Sequence, residues 1–520
     1  MTSLTALSAS ELARGIRERR FSSSEVVEAH IRRLEAVNPQ LNAVVVPLYA
    51  QARRDAAAAD AALRSGEAPG PLHGVPMTVK EQFMVAGTAT TFGLAREAGH
   101  RAKADGPLIR RLREAGVIFL AKTNVAQLLF YVESDNPVYG RTNNPWDLTR
   151  TCGGSTGGEA ALIAAQASPL GIGGDIGGSI REPAHFCGIA GFKPTSGRLT
   201  NFDTRGGIFP AGQGAILAQP GPMARTVEDL ALAMKILAAP GLERIDPSLA
   251  PVPWRDPASI AVNRLRIAVV VDDGYFSASP AIRRVVLAAA DALREAGATV
   301  EPWTPPDVAE AMRLFFGILT ADALDSLRRA LGSDTPEPQL ELYLKACALS
   351  MEDRATTVGE QRAAGQAHMA ALIAAVGPRS AESYWRLVED QGAYRARFVE
   401  QLDQGRFDAI VCPPAALPAL RHGDTAALPD YDSYARVFNV IGFPAGVVAA
   451  GRVRPDEESD RAPTRDGVLL RAGTVEQGSA GLPVGVQVAA RPWREDVVLA
   501  VMAVLEAHFK QQPDYPLAER

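Results

Sequence analysis

Two serines that follow glycine lie close together in one apolar stretch of the chain. Ser155 stands in TCGGSTGG, and Ser179 stands in GIGGDIGGSIR. A serine hydroxyl is no nucleophile at neutral pH unless a base takes its proton, and glycines let backbone N–H groups approach a reacting centre. The pattern therefore predicts an active site with a serine nucleophile, whose base must come from another part of the sequence.

A histidine is the first candidate base. Residues 153–157 match G-x-S-x-G, the nucleophile elbow of α/β hydrolases. An elbow also needs an Asp and then a His later in the chain, and it leaves the glycine pair before Ser179 without a purpose. Glycine-rich loops match this pattern by chance, so the elbow is the weaker interpretation.

A lysine is the second candidate base, and Lys80 draws attention because it ends the apolar segment GVPMTVK. An ordinary lysine has a pKa of about 10.4, so a base that acts near neutrality needs a fall of roughly three units, or about 4 kcal/mol. Burial can supply that shift. Taken alone, Lys80 is better explained as a surface lysine whose stem lies along apolar neighbours, and the catalytic base is the alternative interpretation at this point.

A phosphate-binding loop is the alternative for the glycines before Ser179. The dinucleotide pattern G-x-G-x-x-G fails because Ile176 stands where the third glycine is required, and no G-K-[ST] follows. Phosphate binding is therefore disfavoured.

Helical and strand patterns alternate around these residues. Serine-capped helices are predicted over Ser8–Arg19 and Ser22–Ala36, and an alanine-rich helix over Leu48–Arg64. A further helix begins at Glu159, between the two glycine clusters. Buried strands are predicted in MTVK, VIFLAKTN, LRIAVVVDD and FDAIVCPP. This alternation predicts an α/β layered sheet.

Composition narrows the kind of partner. The 520-residue chain has a net charge of −5 and no basic block, which argues against nucleic acid. Its four cysteines are isolated and lack metal-site spacing, so we expect neither a metal nor another cofactor, and a reducing cytoplasmic setting. No signal peptide or membrane span is expected. The expected partners are a small molecule and water.

Longer motifs carry a family resemblance over nearly the whole chain. They are GVPMTVKEQF, AKTNVAQLLF, NNPWDLTRTCGGSTGG, GIGGDIGGSIREPAHFCGIAGFKPTSGR, QPGPMARTVEDLALAMKIL, FNVIGFPAGVV and GLPVGVQVAARPWREDVVL. In these motifs the chain resembles the amidase signature hydrolases. Within that family it most resembles the fatty acid amide hydrolase branch.

The resemblance implies one α/β domain over residues 1–520, with a central mixed, twisted β-sheet flanked by α-helices on both faces. Within it we expect N-terminal helices over 1–70, a signature core over 71–235, a variable helical region over about 300–400 and a mobile, charged surface loop over 452–480. A monomer or a homodimer is expected.

The resemblance also assigns a Ser-cisSer-Lys triad. Ser179 is the implied nucleophile, Ser155 the bridging serine after a cis peptide bond, and Lys80 the base. A hydroxyl both donates and accepts a hydrogen bond, so a serine between nucleophile and lysine can pass a proton in either direction.

Residues around the triad receive supporting roles by the same resemblance. The backbone N–H groups of Ile176, Gly177, Gly178 and Ser179 are expected to form an oxyanion hole. Asp175 and Arg181 are expected to fix the shape of that loop, and Thr156 to support the nucleophile.

Leu128, Leu129 and Phe130 occupy positions that line the acyl pocket in related amide hydrolases, although core packing would explain them equally well. The segment 308–331 is a candidate lid, in which Phe315, Phe316 and Leu319 would cover the substrate.

Two positions depart from the family pattern. Thr156 replaces the usual second serine and adds a methyl group, and Ala126 replaces the usual proline of its loop, which we expect to loosen that loop.

The function implied is hydrolysis of a neutral, hydrophobic carboxamide or anilide through an acyl-enzyme, with esters and carbamates (urethanes) as further substrates. The alternative is the glutamine-hydrolysing component of a tRNA amidation complex, which needs a cationic anchor for the substrate carboxylate. A noncatalytic binding protein is disfavoured because Lys80, Ser155 and Ser179 are all present.

Overall fold

The computed structural model of the chain describes residues 3–67, 69–202 and 212–516. The strands of this part are β1 Val44–Pro47, β2 Pro76–Lys80, β3 Ile118–Thr123, β4 Asn143–Asn144, β5 Asp147–Thr151, β6 Leu170–Asp175, β7 Ala190–Lys193, β8 Gln219–Ala224, β9 Arg266–Val269, β10 Thr299–Pro302, β11 Ala409–Cys412, β12 Ala445–Arg452 and β13 Pro483–Ala490.

Its α-helices are α1 Ala9–Arg17, α2 Ser23–Leu41, α3 Tyr49–Ser65, α4 Pro107–Glu114, α5 Gly157–Ala164, α6 Arg181–Cys187, α7 Val227–Leu237, α8 Pro280–Glu295, α9 Val308–Leu319, α10 Asp325–Leu331, α11 Pro338–Ala348, α12 Met351–Ala363, α13 Ala367–Ala375, α14 Ala381–Gly405, α15 Ser433–Val440, α16 Gly467–Glu476 and α17 Glu495–Phe509.

Eleven strands form one mixed sheet in the order β1-β3-β2-β6-β8-β7-β12-β13-β11-β9-β10, and β4 and β5 pair separately. The pairs β2–β3, β2–β6, β9–β10 and β9–β11 are parallel, and the remaining pairs are antiparallel. Helices flank the sheet. The predicted α/β fold with a central mixed sheet is therefore confirmed.

The middle of the sheet carries the motifs singled out in the sequence. Strands β2 and β6 are adjacent and parallel, and Lys80 and Asp175 are their last residues. Both side chains therefore lie at the same end of the strand pair, the carboxyl end. Strand ends of this kind are where open α/β sheets place their ligands. Helices α5 and α6 pack against each other and begin just after Ser155 and just after Ser179.

Glycines in β6 let α5 approach the sheet closely. A Cβ atom at Gly171 would lie 2.2 Å from Oε2 of Glu159, and one at Gly173 would lie 2.5 Å from Cγ2 of Thr156. Every residue of α5 is buried, which explains why the helix is built from small and apolar residues. The glycines therefore serve the close packing of helix on strand as well as the loops.

The N-terminal helices follow their predicted caps. The capping boxes of Ser8 with Glu11 and of Ser22 with Glu25 are both formed. The second helix runs five residues beyond the predicted end at Ala36. It continues through Pro39 and ends at Leu41, where Asn42 caps it in the left-handed conformation.

The prediction of a surface loop over 452–480 is wrong for residues 467–476, which form α16. Asp466 accepts a hydrogen bond from the N–H of Val468 and caps the helix. Val468, Ala472 and Val475 are buried on one helical face. The charges of residues 454–465 had obscured this helical spacing. Among the described residues, no helix has the length and apolar character required to cross a membrane.

Candidate active site

Lys80 lies at the centre of the site with a fully buried side chain. Its Nζ is 2.8 Å from Oγ of Ser155 and 2.9 Å from Oγ1 of Thr156, and it donates to the carbonyl oxygen of Gly174 at 3.3 Å. The lysine that ends β2 is therefore joined directly to the loop that precedes α5. A surface role for Lys80 is excluded.

Burial lowers the pKa of Lys80 to about 7, against the opposing effect of the acidic side chains of Asp175 and Glu159. This is the fall that a lysine base requires near neutrality. At pH 7 a substantial fraction of Lys80 is therefore a neutral amine that can accept a proton.

Glu159 was anticipated from the sequence only as a helix former. It is fully buried behind Lys80 and accepts hydrogen bonds from the hydroxyls of Thr78 at 2.5 Å and Thr123 at 2.9 Å. Burial raises the pKa of Glu159 to about 8, which weakens the attraction that its carboxylate exerts on the protonated form of Lys80 near pH 7. The sequence contained one signal for this buried position, which is an acidic residue within a run of small residues.

Ser155 follows a cis peptide bond from Gly154, as the family resemblance implied. The loop packs tightly, because a Cβ atom at Gly154 would lie 2.6 Å from the backbone nitrogen of Glu133. The hydroxyl of Ser134 donates to the carbonyl of Gly153 and accepts from the N–H of Gly157. Ser134 thus holds both sides of the loop, and no sequence motif had indicated it.

Ser179 lies on the loop between β6 and α6 and lines the same cavity as Lys80 and Ser155. Its carbonyl accepts the N–H of Thr156 at 3.2 Å, which ties the two serine loops together. Its hydroxyl makes no hydrogen bond to any residue in the described ranges, so it is available to a substrate in the cavity.

Asp175 and Arg181 form a buried ion pair that supports the Ser179 loop. The guanidinium donates to both carboxylate oxygens at 3.0 Å. Although burial opposes ionisation, Arg181 keeps the pKa of Asp175 well below its ordinary value. Asn439 and Gln487, which the sequence had not indicated, each accept a further hydrogen bond from Arg181.

The expected oxyanion donors divide into two groups. The N–H of Gly178 donates to Oδ1 of Asp175 at 2.9 Å, so in this geometry it is engaged in holding the loop. The N–H groups of Ile176, Gly177 and Ser179 have no acceptor among the described residues, which leaves them as the candidate donors.

The cavity wall combines apolar and charged side chains. Leu128, Leu129 and Phe130 line it together with residues of α9. Leu128 and Leu129 adopt positive φ angles of 55° and 60°, which turns this short segment toward the site. Ala126 before them has an extended backbone at φ −69°, the angle that proline would impose, so this residue keeps the proline-like conformation of the loop.

Phe315, Phe316 and Leu319 of α9 also line the cavity. Besides Lys80 and Asp175, the wall includes two charged residues near the start of α15, Asp432 and Arg436. Sequence reasoning had not connected these charges with the site, because they lie more than 250 residues beyond Ser179 in the chain.

Replacing Arg181 by methionine is expected to lower the free energy of unfolding by about 3–5 kcal/mol, because it leaves the carboxylate of Asp175 buried without the guanidinium that pairs with it. Urea unfolding measures this change. The matched control is Arg386→Met, which removes the exposed ion pair with Glu382 and should cost no more than about 1 kcal/mol. Equal losses in the two variants would contradict the structural role of Arg181.

Comparison with known proteins gives a family and several relatives. The family profile described as Amidase matches residues 25–499. The chain is 33% identical to fatty-acid amide hydrolase 1 of Sus scrofa over 513 residues, which are 97% of this chain and 86% of that protein. It is 34% identical over 460 residues to a glutamyl-tRNA(Gln) amidotransferase component of Halorhodospira halophila (strain DSM 244 / SL1), which are 86% of this chain and 91% of that protein.

A solved structure of a fatty acid amide hydrolase superposes with a TM-score of 0.85 at 27% identity, covering 96% of this chain and 85% of that one. The similarity thus extends over the sheet, the helices and the loops that hold Lys80, Ser155 and Ser179.

Proposed function

The chain belongs to the amidase family and is an amide-hydrolysing enzyme, and on this basis we propose that it cleaves the C–N bond of a neutral, largely hydrophobic carboxamide or anilide through an acyl-enzyme on Ser179. Esters with the same acyl group, and carbamates, are further substrates. The observation that carries this proposal is the buried Lys80, with its lowered pKa, 2.8 Å from the hydroxyl of Ser155.

The reaction begins with neutral Lys80. It takes the proton of Ser155 while Ser155 takes the proton of Ser179, whose oxygen forms a bond to the carbonyl carbon. The N–H groups of Ile176, Gly177 and Ser179 stabilise the negative charge that develops on the carbonyl oxygen. Collapse of this intermediate breaks the C–N bond, and Ser155 gives its proton to the departing amine while Lys80 reprotonates Ser155. Water then attacks the acyl-enzyme through the same relay and releases the acid.

Glutamine hydrolysis for tRNA amidation is the second candidate, because the cavity wall contains a cation, Arg436. This cation is already paired with Asp432 at 2.7 Å. A substrate carboxylate would have to compete with Asp432 for it. We therefore favour an uncharged amide over glutamine.

A panel of p-nitroanilides, p-nitrophenyl esters and carbamates of varied acyl length tests the proposal, with L-glutamine in an ammonia-release assay as a further substrate. Turnover of anilides by the native enzyme, and none by Ser179→Ala, is expected. Efficient hydrolysis of L-glutamine with no turnover of any anilide would instead support the amidotransferase function.

The helix α9 is proposed to act as a lid over the cavity. Phe315, Phe316 and Leu319 are each less than 8% exposed and face the site from this helix. Replacing all three by alanine is expected to reduce kcat/KM for bulky acyl groups by about tenfold or more through lost apolar contact, with a smaller effect on acetyl substrates. Unchanged kcat/KM for bulky substrates would contradict the lid.

A further inference from the structure

The charged end of the catalytic cavity is formed by Asp432 and Arg436. The carboxylate of Asp432 lies 2.7 Å from Nη2 of Arg436, and the two residues are 0% and 7% exposed. The guanidinium carbon of Arg436 lies 5.1 Å from the ring centroid of Phe315 and 4.8 Å from that of Phe316. An ion pair is thus enclosed next to two aromatic rings of the cavity wall.

This ion pair lies next to the nucleophile loop. A Cβ atom at Gly177 would meet the ring of Phe315 at 2.8 Å, and one at Gly178 would lie 3.2 Å from Cβ of Ala435. Ala435 immediately precedes Arg436 on α15. A substrate bonded to Ser179 therefore has the ion pair within reach of its more distant atoms.

The pair retains hydrogen-bonding capacity. Nε of Arg436 has no hydrogen-bond partner in the described ranges, and the carboxylate of Asp432 is shared between Arg436 and the neighbouring Glu182. A buried polar atom without a partner is costly, and a bound group that supplies one recovers that cost. Because a carboxylate has about four acceptor sites, the cavity offers an acceptor at Asp432 as well as a donor at Arg436.

Opposite charges meet at this end of the cavity. Glu182 lies beside Asp432 and accepts a hydrogen bond from the hydroxyl of Tyr431 at 2.5 Å. Burial and the neighbouring Asp432 raise the pKa of Glu182 well above its ordinary value, which disfavours a second negative charge beside Asp432. The ion pair itself joins one anion, Asp432, to one cation, Arg436. A ligand group with a net charge would be attracted by one partner and repelled by the other.

We propose that Asp432 and Arg436 form a polar subsite that binds an uncharged group with both a hydrogen-bond donor and an acceptor, such as a carboxamide or a hydroxyl, on the acyl part of the substrate. The inference rests on the proposed function, since the acyl part is defined by its bond to Ser179. It narrows the substrate class from plain alkyl or aryl amides to amides whose apolar acyl chain carries a neutral polar group.

The test compares p-nitroanilides of equal acyl length, from four to eight carbons, that end in methyl, hydroxyl, carboxamide, carboxylate or ammonium. At the best length, the native enzyme should have a kcat/KM for hydroxyl or carboxamide that exceeds the methyl value by about tenfold, with both charged groups below the neutral polar ones. The absence of this preference at every length would overturn the subsite, whatever the variants do.

The double variant Asp432→Leu with Arg436→Met supplies the second measurement. Replacing a buried ion pair by apolar residues of similar volume is often neutral for stability, so a folded protein is expected and is checked by circular dichroism. Its preference should reverse in favour of the methyl-terminated substrate. The matched control is Arg198→Met with Glu495→Leu, which removes a buried ion pair whose residues do not line the cavity and should leave the preference unchanged.

These results separate the subsite from the proposed function. A neutral-polar preference that persists in the Asp432 and Arg436 variant would overturn the subsite alone, because turnover would still depend on Ser179. Turnover that persists in Ser179→Ala would contradict the proposed function itself.

Discussion

Replacing Ser179 by alanine is expected to lower kcat for p-nitroanilides by about 10⁴-fold or more, because no other oxygen can take its place in the covalent intermediate. The fold and the cavity should persist, since the hydroxyl of Ser179 makes no hydrogen bond to a described residue whose loss would disturb them. Steady-state kinetics of the purified variant measure the effect. The control is Ser196→Ala, which removes another partly buried hydroxyl without a partner in the described structure and should retain activity.

Covalent labelling separates the roles of the two serines. A fluorophosphonate reacts with an activated serine, and peptide mass spectrometry should find it on Ser179 and not on Ser155. Ser155→Ala should slow labelling because it interrupts the contact with Lys80 at 2.8 Å. A label on Ser155, or full turnover by Ser179→Ala, would overturn the assignment of the nucleophile.

Replacing Lys80 by methionine is expected to slow acylation by about 10²–10⁴-fold, the contribution of a positioned base. In the native enzyme, kcat/KM should rise with pH through about 7 as Lys80 loses its proton, and this step should be absent from the residual activity of the variant. Stopped-flow measurement of p-nitroaniline release between pH 5 and 9 tests both points. Native-like acylation by the variant would contradict the relay.

The same variant is expected to be more stable than the native protein. The pKa of Lys80 is about 7 when folded and about 10.4 when unfolded, so burial of this residue costs about 4 kcal/mol near pH 7, partly offset by its hydrogen bonds. Between those pH values the unfolded chain binds the additional proton. The cost is therefore complete below pH 7 and declines toward pH 10.4.

The stability difference between Lys80→Met and the native protein should decline over the same range, which urea unfolding at pH 6.5 and 9.5 measures. A difference that grew with pH would contradict the lowered pKa. If the variant unfolds at a higher urea concentration than the native protein, misfolding cannot explain its loss of activity.

The sequence was sufficient to predict the site residues that lie within short motifs. Lys80, Ser155 and Ser179 each stand in a motif of a few residues, and the cis peptide before Ser155 followed from the resemblance those motifs carry. The helix α16 was missed because its apolar spacing is brief and follows a charged segment. The resemblance also implied Gly178 as an oxyanion donor, and the hydrogen bond of its N–H to Asp175 could not be predicted from the sequence.

The sequence by itself determined the chemical groups of the site and the family fold, because residue type and local spacing are properties of the chain. Only the tertiary structure decided the burial and the hydrogen-bond partners of those groups. The pKa of Lys80 depends on burial by β6 and α5, and the N–H of Gly178 is occupied because Asp175 is turned toward it. Asp432 and Arg436 are only four residues apart, but their position beside the cavity arises from the packing of α15 against α9, since contacts between distant segments exist only after folding.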